Sequence, residues 1–305
     1  MSHALYGPEG YFRKNAPATQ FRTSVHASPL FAAAIATLVT RLDAALGHPP
    51  RLDIVDIGAG RGELLTALAE LLPARLKLIA VEVDDRPADL AQEIDWVHTV
   101  PPNTTGLLIA TEWLDNVPID VVCRDTDGVI RLVNTDHTLG PPADPDTVAW
   151  LNTWWPEFTH AEPGAPRDAA WRAAVAGHTG LALAVDYGHT RHNRPSLGTL
   201  TGYRNGRQVP PRPDGSTDIT AHVAMDSLTE DADSSVLLRQ RDALTALGVS
   251  GARPSLTLAS TDPRRYVNEL SRASQAAELT DPSGLGGHWW LLQGVGVDVG
   301  RFWGE

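Results

Sequence analysis

The sequence predicts an α/β fold built on a doubly wound, mostly parallel sheet, and two stretches carry that expectation. Residues 52–65, LDIVDIGAGRGELL, read as an apolar strand, a glycine-rich turn and the first turn of a helix. Residues 76–84, LKLIAVEVD, read as a second strand ending on an acid, Glu82. Ile54, Val55 and Ile57 are β-branched and apolar, as a strand buried on both faces requires. Strands and helices then alternate along the chain, an order that implies parallel strands joined by crossover helices.

A helix is expected from about Pro29 to Leu46, with Leu30, Phe31, Ile35, Leu38, Val39 and Leu42 on one stripe. Ser28 caps its start, Pro29 suits the first helical position and Gly47 closes it. A strand at 52–57, a helix at 63–72, a strand at 76–82, a short helix at 87–92 and a strand at 107–111 follow. The next buried strand lies at 180–186. Between these last two strands the pattern predicts a hairpin, Val117–Arg124 with Val129–Asn134, turning at Asp127-Gly128. Two helices come after it, one holding Trp150, Trp154 and Trp155, the other beginning near Asp168 and holding Trp171. Helical spacing of the tryptophans suits core packing better than a cation cage. Segment 189–216, rich in Arg, Gly and Pro, reads as a long surface loop. A helix near 234–247, a strand near 255–259, a helix near 263–278 and a strand near 288–293 complete the expectation.

Composition narrows the function. The 25 Lys/Arg against 37 Asp/Glu leave a formal charge of −12 over 305 residues, with no basic run. Nucleic-acid binding leans on basic patches and is disfavoured. Cys123 is the only cysteine, so neither a disulfide nor a cysteine-based zinc site is expected. His189, His192 and His222 lack the spacing of a known metal site, and no metal is expected. The N-terminal MSHALYGPEGYF has no signal pattern, and no apolar run is long enough to span a bilayer. A cytoplasmic protein with no membrane partner is the expectation.

The glycine turn defines a ligand. A dinucleotide turn runs G-x-G-x-x-G and places a pyrophosphate on the helix N-terminus. Here the glycines run Gly58, Gly60, Gly62, and Asp56 precedes them. That acid would repel a pyrophosphate and suits a ligand carrying an amino group and a sulfonium. S-adenosyl-L-methionine (SAM), whose product is S-adenosyl-L-homocysteine (SAH), has both. Glu82 at the second strand tip suits the two ribose hydroxyls. The expected cofactor contacts are Asp56, Gly58, Ala59, Gly60, Gly62, Glu82, Val83, Thr111 and Glu112.

The turn resembles the SAM-binding motif of class I methyltransferases, and four segments together resemble the MidA-type family of that class. They are DIGAGRGELL with VEVD at 81–84, TEWLDNVP at 111–118, VDYGH at 185–189 followed by GTLTGYRNGR, and DGSTDITAHVAMDSL. This family includes the mitochondrial complex I assembly methyltransferases. The resemblance implies a Rossmann-like methyltransferase domain over 51–305, with insertions at about 117–178 and 189–230. Residues 1–50 would form a helical and loop segment over the cofactor site. The chain departs from the family at Thr111, where an Asn is usual, and at Thr19-Gln20-Phe21-Arg22-Thr23, where the family has G-D-F-x-T.

The resemblance also implies a protein substrate with an arginine side chain as acceptor, and a homodimer is compatible with it. A guanidinium is cationic at all relevant pH and reacts only when a carboxylate localises its charge. Glu112 and Asp115, at the end of the fourth expected strand, are placed where ligands bind in open α/β sheets. Asp186 and Tyr187 end the fifth, and these four form the expected catalytic set. Asp218, Thr220 and His222 form a further polar cluster, with His222 read as a structural histidine ahead of a base. The segment 111–114 lacks the paired prolines with which enzymes grip neutral planar amines, against nucleic-acid methylation. Two other readings stay open: a SAM-binding assembly factor with little turnover, and a methyltransferase acting on a small metabolite.

Overall fold

β1 (Leu52–Ile57) is buried along its whole length, as its aliphatic run requires. It pairs in parallel with β2 (Leu76–Val81) on one side and β4 (Thr105–Thr111) on the other. β3 (Ile94–Val97) extends the sheet beyond β2, and β5 (Thr179–Asp186) beyond β4, both in parallel. β6 (Ser234–Arg239) pairs antiparallel with β7 (Trp289–Val295). The strand order is β6-β7-β5-β4-β1-β2-β3. Chain direction across the sheet reverses between β1 and β4, the point where open α/β sheets bind ligands beyond their carboxyl ends. The structure, a computed structural model, describes residues 1–14, 23–230 and 232–302. The departure at Gln20 lies outside the described residues.

Helix Pro29–Ala45 has the expected caps: Ser28 Oγ accepts the Leu30 N–H, and Gly47 turns the chain at φ +75°. Its stripe of Phe31, Ile35, Leu38, Val39 and Leu42 is buried against Leu52, Ile54, Leu107 and Leu183, each side chain contributing about 2 kcal/mol. Two buried polar groups tie strand starts together. Asp53 accepts the Thr105 N–H at 3.1 Å. His178 bonds Thr104 Oγ1 at 2.9 Å and the carbonyls of Gly106 and Leu181 at 3.1 and 3.0 Å. At Gly106 the backbones approach so closely that a Cβ would fall 2.2 Å from the Asp53 carbonyl.

Four local expectations differ from the structure. Residues 87–92 form turns stitched by Leu90 N–H to Pro87 O, and the unforeseen β3 follows. Pro87 and the absence of an apolar repeat leave nothing to sustain a helix there. The 234–247 segment begins as β6 because Val236 and Leu238 pair across to Leu292 and Trp290, and only Gln240–Ala246 is helical. The 255–259 segment is the start of helix Leu256–Thr261, capped by Ser255, whose side chain accepts the Thr257 N–H. The Trp171 helix starts earlier than expected, at Ala165.

The chain divides into two compact units. One holds Arg22–Thr111, Gly177–Val185 and Ala232–Glu305 and is built on the seven-stranded sheet. The other gathers Met1–Phe21, Glu112–Ala176 and Asp186–Asp231. Its four-stranded antiparallel sheet runs Leu139–Pro142, Ile130–Val133, Val122–Arg124, His160–Ala161. Trp150 and Trp155 are buried against that sheet with Leu151, as core. The expected surface loop contains a hairpin, Thr201–Arg204 with Arg207–Val209, extended by Asp218–Thr220. Its turn, Asn205-Gly206, has both residues at positive φ, the strongest short hairpin signal.

Candidate active site

In the sheet unit, the turn after β1 is a run of backbone that side chains would obstruct. Gly58, Gly60 and Gly62 stand at φ +69°, +59° and +83°. Gly62 is the N-cap of helix Glu63–Leu71, and a Cβ there would strike Leu90 Cδ1 at 2.7 Å. The Gly58 and Ala59 N–H groups donate to Val81 O at 2.9 and 3.3 Å, binding the turn to the end of β2. Glu82, the next residue, accepts the Gly60 N–H on Oε2 at 3.0 Å and the Val83 N–H on Oε1 at 2.7 Å. Each carboxylate oxygen keeps a lone pair for a further donor. Val83 presents 68% of its surface to solvent, an apolar edge beside that acid.

Asp56 lies at the end of β1 and is 4% exposed. Burial pushes its carboxyl up to about 8, helped by the negative charges of Glu63 and Glu82. Burial likewise raises Glu82, against the backbone N–H groups of Val83 and Gly60. Three acids around a glycine turn, one held neutral by its surroundings, are set for a cationic ligand that would restore its charge. Thr111 ends β4, and its buried Oγ1 has no hydrogen-bond partner among the described residues.

In the second unit, the expected catalytic residues form a buried polar network. Asp115 sits in the single turn Leu114–Asn116 and is 4% exposed. Its Oδ2 accepts the Tyr187 hydroxyl, in a short contact, and Thr220 Oγ1 at 2.8 Å. Its Oδ1 accepts Asn116 Nδ2 at 2.9 Å. Asp186 accepts the Asp115 N–H at 3.1 Å and the Tyr187 N–H at 2.9 Å. Glu112 is held at φ +52°, an uncommon conformation for a non-glycine residue, and its carbonyl accepts Asn116 Nδ2.

Burial and neighbouring charge act differently on the two carboxyls. Burial raises Asp186 well above the carboxylate range, and the charges of Asp115 and Glu112 raise it further. Burial also raises Asp115, but the hydroxyls of Tyr187 and Thr220 and the charge of Arg167 draw it back. Asp115 accepts three side-chain donors that favour its charged form, whereas Asp186 accepts only two backbone N–H groups, so burial weighs more heavily on Asp186. Tyr187 is raised by burial and then by Asp115 and Asp186, and remains a phenol.

Arg167 is the residue that sequence reasoning missed. It is 1% exposed, and its guanidinium donates to the carbonyls of Asp115 at 2.7 Å, His222 at 2.9 Å and Val117 at 3.4 Å. One buried cation thus pins segments 115–117 and 222 together and offsets the acids nearby. Its setting, PRDAAWRAA, is that of an ordinary helix, and no local pattern marks it. His222 packs its ring on Tyr187 with centroids 5.4 Å apart. His189 pairs with Arg194 at 2.6 Å and is driven down to about 3, chiefly by burial, so it is neutral. Among the described residues no group of His, Cys, Asp and Glu could hold a metal ion, and no helix is long and apolar enough to cross a membrane.

A family model described as "Putative S-adenosyl-L-methionine-dependent methyltransferase" matches residues 32–239. The fold matches a crystal structure of a protein from Burkholderia thailandensis bound to S-adenosyl-homocysteine. The TM-score is 0.77 at 24% identity, covering 97% of this chain and 87% of that one. A native crystal structure from the same organism matches with TM-score 0.77 and 24% identity, covering 97% and 86%. No curated protein matches the sequence.

Proposed function

The chain belongs to this MidA-type family of SAM-dependent methyltransferases, and from that premise we propose that it methylates an arginine side chain of a protein. The observation that carries this reading is the acid cluster of half-buried Glu112 with buried Asp115 and Asp186, in which three side chains donate to Asp115. A cationic, donor-rich acceptor is what such a network attracts, and a guanidinium presents five N–H donors.

The residues of the glycine turn fit SAM. Asp56 would take the cationic end, Glu82 the ribose hydroxyls, and Val83 an apolar edge of the adenosine. Gly58, Ala59, Gly60 and Gly62 would leave the backbone open to the ligand, and Thr111 would complete the contacts. SAM, when bound, supplies a methyl group on a sulfonium that departs as a neutral thioether. The protein must orient the acceptor, localise its charge and remove a proton. Glu112 pairs with the guanidinium and draws its positive charge toward one nitrogen, which leaves the lone pair of another free to react. Asp115 is held in place by Tyr187, Thr220 and Asn116, a preorganised acid beside the acceptor. Asp186, whose proton affinity burial raises, fixes the backbone N–H groups of Asp115 and Tyr187. The proton released by the acceptor passes to a carboxylate of this cluster.

Incubating the protein with methyl-labelled SAM in a cell extract, followed by acid hydrolysis, tests the assignment. Label recovered as methylarginine in protein is the expected outcome. Label confined to small molecules would transfer the activity to a metabolite, and no label would support a binding factor.

A further inference from the structure

Side chains two apart on a strand share a face, so Asp218 and Thr220 lie on one side of strand Asp218–Thr220. Thr220 Oγ1 donates to Asp115 Oδ2, which puts Asp218 beside the same carboxylate. Asp218 is 7% exposed, and its Oδ1 has no hydrogen-bond partner among the described residues. At the other oxygen of Asp115 stands Asn116. Its Nδ2 donates to Asp115 Oδ1 at 2.9 Å and to Glu112 O at 3.1 Å. Those two bonds commit the amide hydrogens and define Oδ1 as the remaining acceptor, which is also buried and without a partner among the described residues. Folded proteins leave few buried acceptors without donors. Here two of them flank one buried carboxyl group, both on residues joined to it by bonds or by strand register.

We propose that Asp218 Oδ1 and Asn116 Oδ1 select the group to be methylated, each receiving an N–H from a planar nitrogen cation. The proposal rests on the guanidinium reading above and names the atoms that would enforce it. An ammonium bearing only methyl groups, or a hydroxyl acceptor, would leave these oxygens unpaired, and a site that loses such bonds discriminates strongly against the analogue.

Calorimetric titration of the SAH-loaded full chain with methylguanidinium, and separately with tetramethylammonium, tests this. The two cations carry the same charge, and only the first has N–H donors. Wild type is expected to bind methylguanidinium and not tetramethylammonium. Asp218→Asn, which keeps the shape, should weaken methylguanidinium about tenfold or more and leave SAH affinity unchanged. Asn116→Ser should give a similar loss by a second route. Equal binding of the two cations, binding of neither, or undiminished methylguanidinium affinity in Asp218→Asn would overturn the inference. Those results would leave the arginine reading standing if methylarginine is recovered from the labelled extract. Label recovered on a group other than arginine would remove that reading and the inference with it.

Discussion

The two units hold buried acids by different means. In the sheet unit, Glu82 is satisfied by backbone N–H groups of Gly60 and Val83, and Asp56 is left neutral by burial. Those partners are set by the turn itself, within one βα unit. In the second unit, Asp115 is satisfied by side chains of Tyr187, Thr220 and Asn116, and Arg167 secures the surrounding backbone. Those partners come from segments about 50, 70 and 100 residues apart in sequence, the separations of the bonds themselves. A site built from local backbone tolerates changes in remote side chains. A site built from distant side chains depends on each of them.

Arg167→Met should break that second arrangement most severely. It leaves three carbonyls without a donor and removes the cation among buried acids, and losing one partner of a buried charge cluster costs about 3–5 kcal/mol. Hydrogen exchange is the measurement: amides in 112–117 and 218–222 should lose protection, and unchanged protection would show that the network stands without Arg167.

The sheet unit should respond differently to its own most intrusive change. Gly60 stands at φ +59°, so Gly60→Val costs about 1–2 kcal/mol of backbone strain and adds a side chain to the proposed cofactor turn. SAH binding should be lost while thermal melting still shows a folded protein. A folded variant with wild-type SAH affinity would remove the turn from the cofactor site.

A smaller effect, at Asp56, sharpens the contrast. Its folded value of about 8 exceeds the ordinary carboxylate value of about 3.9. Between those values the folded chain binds more protons than the unfolded one, so stability falls as pH rises from about 4 to about 8. Asp218, raised to about 7, and Asp168, raised to about 6, both chiefly by burial, act in the same direction. Asp56→Asn should flatten part of this fall, making the ligand-free variant more stable than wild type at pH 8 while weakening SAM binding. A melting temperature at pH 8 that does not rise would show that Asp56 is already ionised.

The same contrast explains what the sequence made legible. Residues 52–65 and 82–83 make the glycine turn legible because strand, glycines and acid lie within one stretch whose geometry is dictated locally. The ends of β4 and β5 were identifiable too, and Asp115, Asp186 and Tyr187 do come together. Arg167 was not, because its role depends on which carbonyls tertiary packing brings to it. The errors at 234–239 and 255–259 share that cause. Ser234–Arg239 is a strand only because β7 lies beside it, and Leu256–Thr261 is a short helix whose cap at Ser255 outweighs its weak pattern. The Asn205-Gly206 hairpin was readable and was obscured by the surrounding Arg, Gly and Pro.

Glu112→Gln, assayed for both SAH binding and methyl transfer, tests the division of labour most directly. It keeps the shape of the side chain and removes its charge. SAH affinity should equal wild type, with transfer from labelled SAM into extract protein slowed about a hundredfold, or roughly 3 kcal/mol of barrier. A variant that binds SAH normally and transfers methyl at the wild-type rate would contradict that division.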